Sequence, residues 1–185
     1  MRQLIVFIAT LFALAAPASA EEFRQSLNGS PEGPVAVAVI EIGPELSERA
    51  GEYGERELLI LQRKLEGALI DALLDAGRYA EVDDPSASTL LVVIEDATPN
   101  RPTFQQLADR PSLSARTVSI GGARVTAVMS DPAGDELGRF AYSWRTPALD
   151  REQYTLVWTD AENAFDRFAR MVAAELTEEP VRAAE

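Results

Sequence analysis

ERELLILQRKLEGALIDALLDA, residues 55–76, is the stretch on which the fold turns. Leu58, Leu61, Leu65, Ala68, Leu69, Ala72, Leu73 and Ala76 recur at spacings of three and four, which is the mark of a helix with one buried face. Glu55 and Glu57 sit in its first turn, where the macrodipole favours negative charge, and Gly77 follows as the expected C′ residue. A helix of this kind needs an apolar layer to lie on. Just upstream, VAVAVIEI (35–42) reads as a strand apolar on both faces, which suits a central strand covered on each side. Gly43-Pro44 stops it, and 45–54 reads as a charged loop.

Working outward, Thr89 to Ile94 is a second doubly apolar strand. Residues 95–112 carry Pro99, Pro102 and Pro111 and read as a long excursion with a helical turn or two in Thr103–Asp109. Residues 113–145 read as a β-meander. Ile120-Gly121-Gly122-Ala123 matches a two-residue hairpin turn that would pair Val118 with Val125; one long strand with a glycine bulge is the alternative. Asp131-Pro-Ala-Gly134 is the next turn, and Phe140, Tyr142 and Trp144 follow at period two. Thr159-Asp-Ala-Glu162 reads as a capping box opening a helix with Phe165, Phe168, Val172 and Leu176 on one face. The expected fold class is α/β (α+β): a mixed or mainly antiparallel sheet with two long helices on one face, in a single domain over 35–176. A flexible leader is expected at 21–34 and a disordered tail at 177–185.

The N-terminus reads as a secretory signal over residues 1–20. Arg2 supplies the positive charge, Leu4–Ala16 the short apolar run, and Ala18-Ser19-Ala20 the cleavage site. The rival reading is an uncleaved anchor, but the apolar run is about 13 residues against the roughly 20 that span a bilayer. The expectation is therefore a periplasmic or secreted protein with no stable membrane anchor after cleavage.

Composition removes whole classes of chemistry. The chain has no histidine and no cysteine, which excludes His-based triads, Cys-His dyads, disulfides, and thiolate or His-ligated metal sites. Its formal charge of -13 argues against nucleic acid and anionic lipid surfaces. Asp83 with Asp84, and Asp131 with Asp135, are paired carboxylates, but both pairs lie at turns where Asp serves local backbone hydrogen bonds. Lys64, the sole lysine, lies off the apolar stripe and reads as solvated. No cofactor or metal is expected, and the chain reads as not an enzyme.

One feature points to binding. If Phe140, Tyr142 and Trp144 face the helices with Val125, Ala127 and Met129, then Arg124, Arg139 and Arg145 share the opposite face with Thr117, Ser119, Thr126 and Ser143. Three arginines on one sheet face of an acidic protein would make a local positive patch suited to carboxylates, phosphates or a protein partner. The alternative is an ordinary solvated face.

The order strand, loop, helix, meander, helix also carries a resemblance. Val35–Ile42 followed by the helix ending Ala76-Gly77-Arg78-Tyr79 resembles the start of small envelope domains of the CsgG, TolB N-terminal and penicillin-binding-protein-activator type. Val125–Leu137, with Asp131 and Gly134 at the turn, is similar to the late hairpin of uncharacterised periplasmic families of that shape. The resemblance implies a sheet with helices packed on it, a role in envelope assembly or binding and an envelope protein as partner, and it brings no catalytic residues. Two other functions compete: a small-ligand carrier with 95–112 as its lid, and a carboxylate-based hydrolase. Oligomeric state is left open.

Overall fold

The computed structural model describes residues 21–29, 31, 33–146 and 156–177. The signal segment 1–20, the tail beyond Thr177 and most of the stretch between Thr146 and Trp158 lie outside them. In chain order the elements are β1 (Glu22–Leu27), β2 (Val35–Ile42), α1 (Pro44–Glu48), α2 (Ala50–Tyr53), α3 (Glu55–Asp75), β3 (Ser88–Thr98), α4 (Phe104–Asp109), β4 (Gly122–Ser130), β5 (Glu136–Arg145) and α5 (Thr159–Glu175). The strands form one sheet in the order β1-β5-β4-β3-β2. Only β2 and β3 run parallel; the other neighbours are antiparallel.

Both long helices lie on one face of this sheet. Leu58, Leu61, Leu65, Leu69 and Leu73 of α3 are buried, as are Phe165, Phe168 and Val172 of α5. They meet Leu90, Val92 and Ile94 of β3, Val125, Ala127 and Met129 of β4, and Phe140 and Tyr142 of β5 in one core. The period-3.6 and period-2 patterns of the sequence therefore converge on a single interface. Gly77 has φ 65, the left-handed value expected just past α3.

Several local expectations are overturned. The leader 21–34 is not wholly flexible, because residues 22–27 form edge strand β1. Phe23 stacks on Phe140 at 6.3 Å, which is the apolar contact that holds β1 in place. Strand β2 is an edge strand rather than a central one. Its N-terminal half is buried because residues 78–80 and Ala87 close over it, through Val35 N–H to the Arg78 carbonyl and a small Ala36, Ala80 and Ala87 cluster. A register shift between Val37 and Val39 interrupts the remaining edge, and Gln62 donates to the Ile40 carbonyl. The charged loop 45–54 is folded into α1 and α2, with Leu46 and Tyr53 buried. α5 opens with Trp158 at the N-cap and no side-chain cap bond, so Thr159 does not form the expected capping box.

The largest correction is at Gly121-Gly122. There is no hairpin there, and 117–121 is not a strand; the meander has two strands, β4 and β5. The glycines serve close approach instead. A Cβ on Gly121 would press on the Asn100 amide, and one on Gly122 would run into the Trp144 carbonyl. Asn100 and Asp160, both buried, form the clamp behind this. Asn100 donates to Asp160 at 2.6 Å, Asp160 N–H donates back to Asn100 at 2.8 Å, and Gly121 N–H donates to Asp160 at 3.1 Å. The loop between β3 and β4 is thereby fastened to the first turn of α5.

Candidate functional site: the open face of the sheet

Among the described residues, the face of the sheet away from α3 and α5 carries no long helix. β5 alternates Phe140 and Tyr142 toward the core with Arg139, Ala141, Ser143 and Arg145 away from it. β4 alternates likewise, so Arg124, Thr126 and Val128 point to the open side. The three arginines therefore do share one face, although Thr117 and Ser119, expected with them, lie off the sheet. The faces expected from the sequence set Phe140 beside Val125 and Arg139 beside Thr126; the ladder differs by two residues, pairing Val125 with Tyr142 and Ala127 with Phe140, which sets Arg139 opposite Val128 and Thr126 opposite Ala141.

The arginines do not make a positive patch, because each has an acidic partner. Arg124 is ion-paired with Glu45 of α1. Arg139 is held by Glu136 at 2.5 Å, which keeps the Glu136 carboxyl below the usual carboxylate range and raises the guanidinium. Arg145 meets Asp96 at 3.2 Å, and Asp96 also receives Arg49 at 3.2 Å. A bulge in β3 arranges this last pair: the register shifts between Ile94 and Asp96, so two successive carboxylates reach the open side. Asp96 goes to the arginines, and Glu95 accepts from the Thr126 hydroxyl at 2.7 Å.

Two shallow concavities lie side by side here, of about 270 Å³ and 410 Å³. Both are lined by Arg24, Glu95, Thr126 and Ala141. The smaller one extends to Glu22, Arg124 and Ser143, the larger to Val128 and Arg139. Next to them an apolar stripe crosses three strands in register, Val39 to Leu91 to Val128; Val39 is 46% exposed and Leu91 39%. The face is thus a zwitterionic groove beside an apolar strip, the mixture found where proteins bind proteins.

The remaining candidates fall into place separately. Asp84 accepts from the Ser86 N–H and hydroxyl, which lowers its pKa, and Asp131 accepts from the Ala133 and Asp135 N–H groups. One carboxylate of each pair, Asp84 and Asp131, therefore builds its turn. Lys64 pairs with Glu162 at 3.1 Å and stays half exposed. The segment read as a lid lines neither concavity beyond Glu95, because residues 99–121 sit past the end of β3. Sequence reasoning missed Glu22 and Arg24, since β1 was not seen. It also missed the Glu95–Asp96 bulge, for which the adjacent acids at the end of an apolar strand were the available signal. Among the described residues, no group of three or more acidic side chains is placed to hold a metal ion, and no helix is long and apolar enough to cross a membrane.

No family model matches the chain, and no curated protein matches it. Its fold, an α+β domain with a five-stranded mixed sheet, is similar to solved structures. The PelC dodecamer from Paraburkholderia phytofirmans superposes with a TM-score of 0.53 at 12% identity, covering 86% of this chain and 99% of that one. A point variant of that PelC dodecamer gives 0.52 at 12% identity, over 86% and 100% of the two chains. A DUF330 protein from Xanthomonas campestris superposes at 0.38 with 14% identity, over 82% and 88%. At 12% identity the likeness to PelC is one of fold.

Proposed function

We propose that this chain is a non-catalytic domain of the cell envelope, exported by residues 1–20, that serves as a binding or scaffold subunit of a larger assembly. The observation that carries the reading is the open sheet face: an in-register apolar stripe next to an ion-paired groove, on a sheet whose other face is fully packed. Strand pairs running parallel, as β2 and β3 do, are normally covered on both faces, so a bare face there is suited to a partner. The fold likeness to PelC, solved as a dodecamer, supports assembly, and the sequence resemblance to CsgG-type and TolB-type envelope domains supports the location. Soluble contents of a periplasm or a secreted fraction are where the mature protein belongs on this reading.

A photo-crosslinking residue placed at Leu91, in cells making the full chain, tests it. The expected result is a discrete crosslinked species from position 91 and none from Arg63, on the exposed surface of α3. Equal crosslinking from both positions, or none from Leu91, would overturn the reading.

A further inference from the structure

The two edges of the sheet are protected differently. At β2, residues 78–80 close over the start of the strand, the register shift between Val37 and Val39 interrupts it, and Gln62 occupies the Ile40 carbonyl. β1 carries none of these devices. Its residues hold continuous register with β5, include no proline, and are exposed from Arg24 to Leu27. Among the described residues no strand lies beyond it.

The ladder decides which backbone groups that edge presents. Asn28 N–H donates to the Leu137 carbonyl at 2.8 Å, continuing the register of Ser26 with Arg139 and Arg24 with Ala141. Bonded and non-bonded pairs alternate in an antiparallel ladder, so Glu22, Arg24 and Ser26 direct their N–H and C=O groups to β5. Phe23, Gln25 and Leu27 turn theirs outward, to the free edge. Side chains follow the same parity. Phe23 stacks on Phe140, so Phe23, Gln25 and Leu27 lie on the helix side, where Leu27 rests against Gly138 and still is 38% exposed. Glu22, Arg24 and Ser26 lie on the open side, where Arg24 is ion-paired with Glu22. The charges beside the strand are likewise paired within the chain, Arg139 with Glu136 and Arg167 with Glu21.

We propose that two copies of this chain join through β1, each strand pairing antiparallel with its equivalent about a two-fold axis at Gln25. In that register the strand is complementary to itself. Phe23 lies across from Leu27 of the other copy, twice by symmetry, while Arg24 faces Ser26 and Glu22 faces Asn28, so no like charges are opposed. An axis at Arg24 would set two arginines against each other. Phe23, Gln25 and Leu27 form the bonded pairs of the new ladder, as their outward groups require. α5 lies over β4 and β5, which leaves the joint clear of the helices. Two five-stranded sheets become one sheet with a continuous open face. The contact is isologous and closes at a dimer. It goes beyond the function proposed above and does not rest on it, since it uses the edge of the sheet and leaves Leu91 free.

The chain has no cysteine, so introduced thiols report the register directly. Arg24 and Ser26 of opposite copies form a non-bonded pair with Cα atoms about 4.5 Å apart, within disulfide reach, whereas like residues sit diagonally at about 7–8 Å, beyond it. Under mild oxidation an equimolar mixture of Arg24→Cys and Ser26→Cys is expected to form linked dimers at least ~5-fold faster than either variant alone. Arg63→Cys, on the exposed surface of α3, is expected to form none. Gln25→Pro is the complementary break, because the N–H it removes faces outward and the ladder to β5 survives. By sedimentation velocity at ~0.2 mM, suited to so small a contact, the exported wild-type chain is expected to be dimeric and Gln25→Pro, folded by circular dichroism, monomeric. A monomeric wild type, a dimer that folded Gln25→Pro retains, or a mixture that crosslinks no faster than its single variants would overturn the proposal. If Gln25→Pro does not fold, the crosslinking rates decide. Loss of crosslinking at Leu91 with the β1 dimer intact would count only against the open-face reading.

Discussion

β5 builds both faces of the sheet from alternate residues, and the two faces hold together by different physics. Toward the helices, Phe140 and Tyr142 are about 1% exposed and stack against Phe23 and Phe168. Away from them, Arg139, Ala141 and Arg145 meet charge partners and solvent. Burial on the first side is continuous from α3 through three strands to α5, so a lost methylene leaves a hole. On the second side the Arg124–Glu45 and Arg139–Glu136 pairs are separate and partly in water, where such pairs contribute about 0–1 kcal/mol, while Asp96 is nearly buried and shared by Arg49 and Arg145. The covered face therefore sets stability, and the open face can vary for binding at little cost to folding.

The hardest test of that contrast is Leu65→Ala. Leu65 is fully buried at the middle of the α3 stripe, and its truncation is expected to destabilise the domain by about 2–5 kcal/mol in urea denaturation. A loss well under 1 kcal/mol would mean that the α3 face can collapse onto the sheet, and the contrast with the open face would fail.

Tyr142 sharpens the comparison, because its ring is in the core while its hydroxyl donates to Glu21 at 3.0 Å. Burial first, and then the Glu21 carboxylate, raise the pKa of this phenol. A raised folded-state pKa contributes stability that is fully present below the unfolded value of about 10 and is lost as pH rises toward the folded value. Tyr142→Phe removes a hydrogen bond of about 1 kcal/mol at neutral pH. Its deficit relative to wild type should shrink above about pH 10, where the wild-type phenol ionises in the unfolded chain but stays protonated in the folded one. Urea midpoints of the two proteins that stay parallel from pH 7 to 11 would show that the hydroxyl is solvated.

How much of this was legible in sequence depended on how local the cause was. The stripes of α3 and α5 and the alternation of β4 and β5 were readable because each repeats over several turns or pairs. β1 was not, because it has two apolar residues, Phe23 and Leu27, and the partner of Phe23 is Phe140, far along the chain. Gly121-Gly122 carried a true turn-like signal, but its cause is close packing against Asn100 and Trp144. The arginine face survived these errors for a geometric reason. The ladder was misplaced by two residues, which keeps every side chain on its face; a slip of one would have put Arg139 and Arg145 on the face opposite Arg124. Glu136, three residues from Arg139, was a local partner, but those of Arg124 and Arg145 were out of reach, since Glu45 and Asp96 come from α1 and a bulge in β3.

The smallest expected effect on stability is the one that bears most directly on the proposed function. Replacing Arg124, Arg139 and Arg145 together by Ser removes three exposed guanidinium groups from the open face. Arg124 and Arg139 have partners exposed enough to return to water, Glu45 and Glu136. Arg145 is the case to watch, because its partner Asp96 is nearly buried, and a buried carboxylate left alone is costly. Asp96 is not left alone, however, since Arg49 still holds its other oxygen. Each substitution should therefore cost within about 0.5 kcal/mol. Removing them also unmasks Glu45, Glu136 and one side of Asp96, which turns a balanced groove strongly acidic. If a partner docks on this face, the triple variant should keep its fold by circular dichroism and lose the Leu91 crosslink, with the loss larger at low salt, where the new repulsion is least screened. Undiminished crosslinking by the folded variant would leave the apolar stripe alone as the binding surface, and the arginines as fasteners of β4 and β5 to α1 and β3.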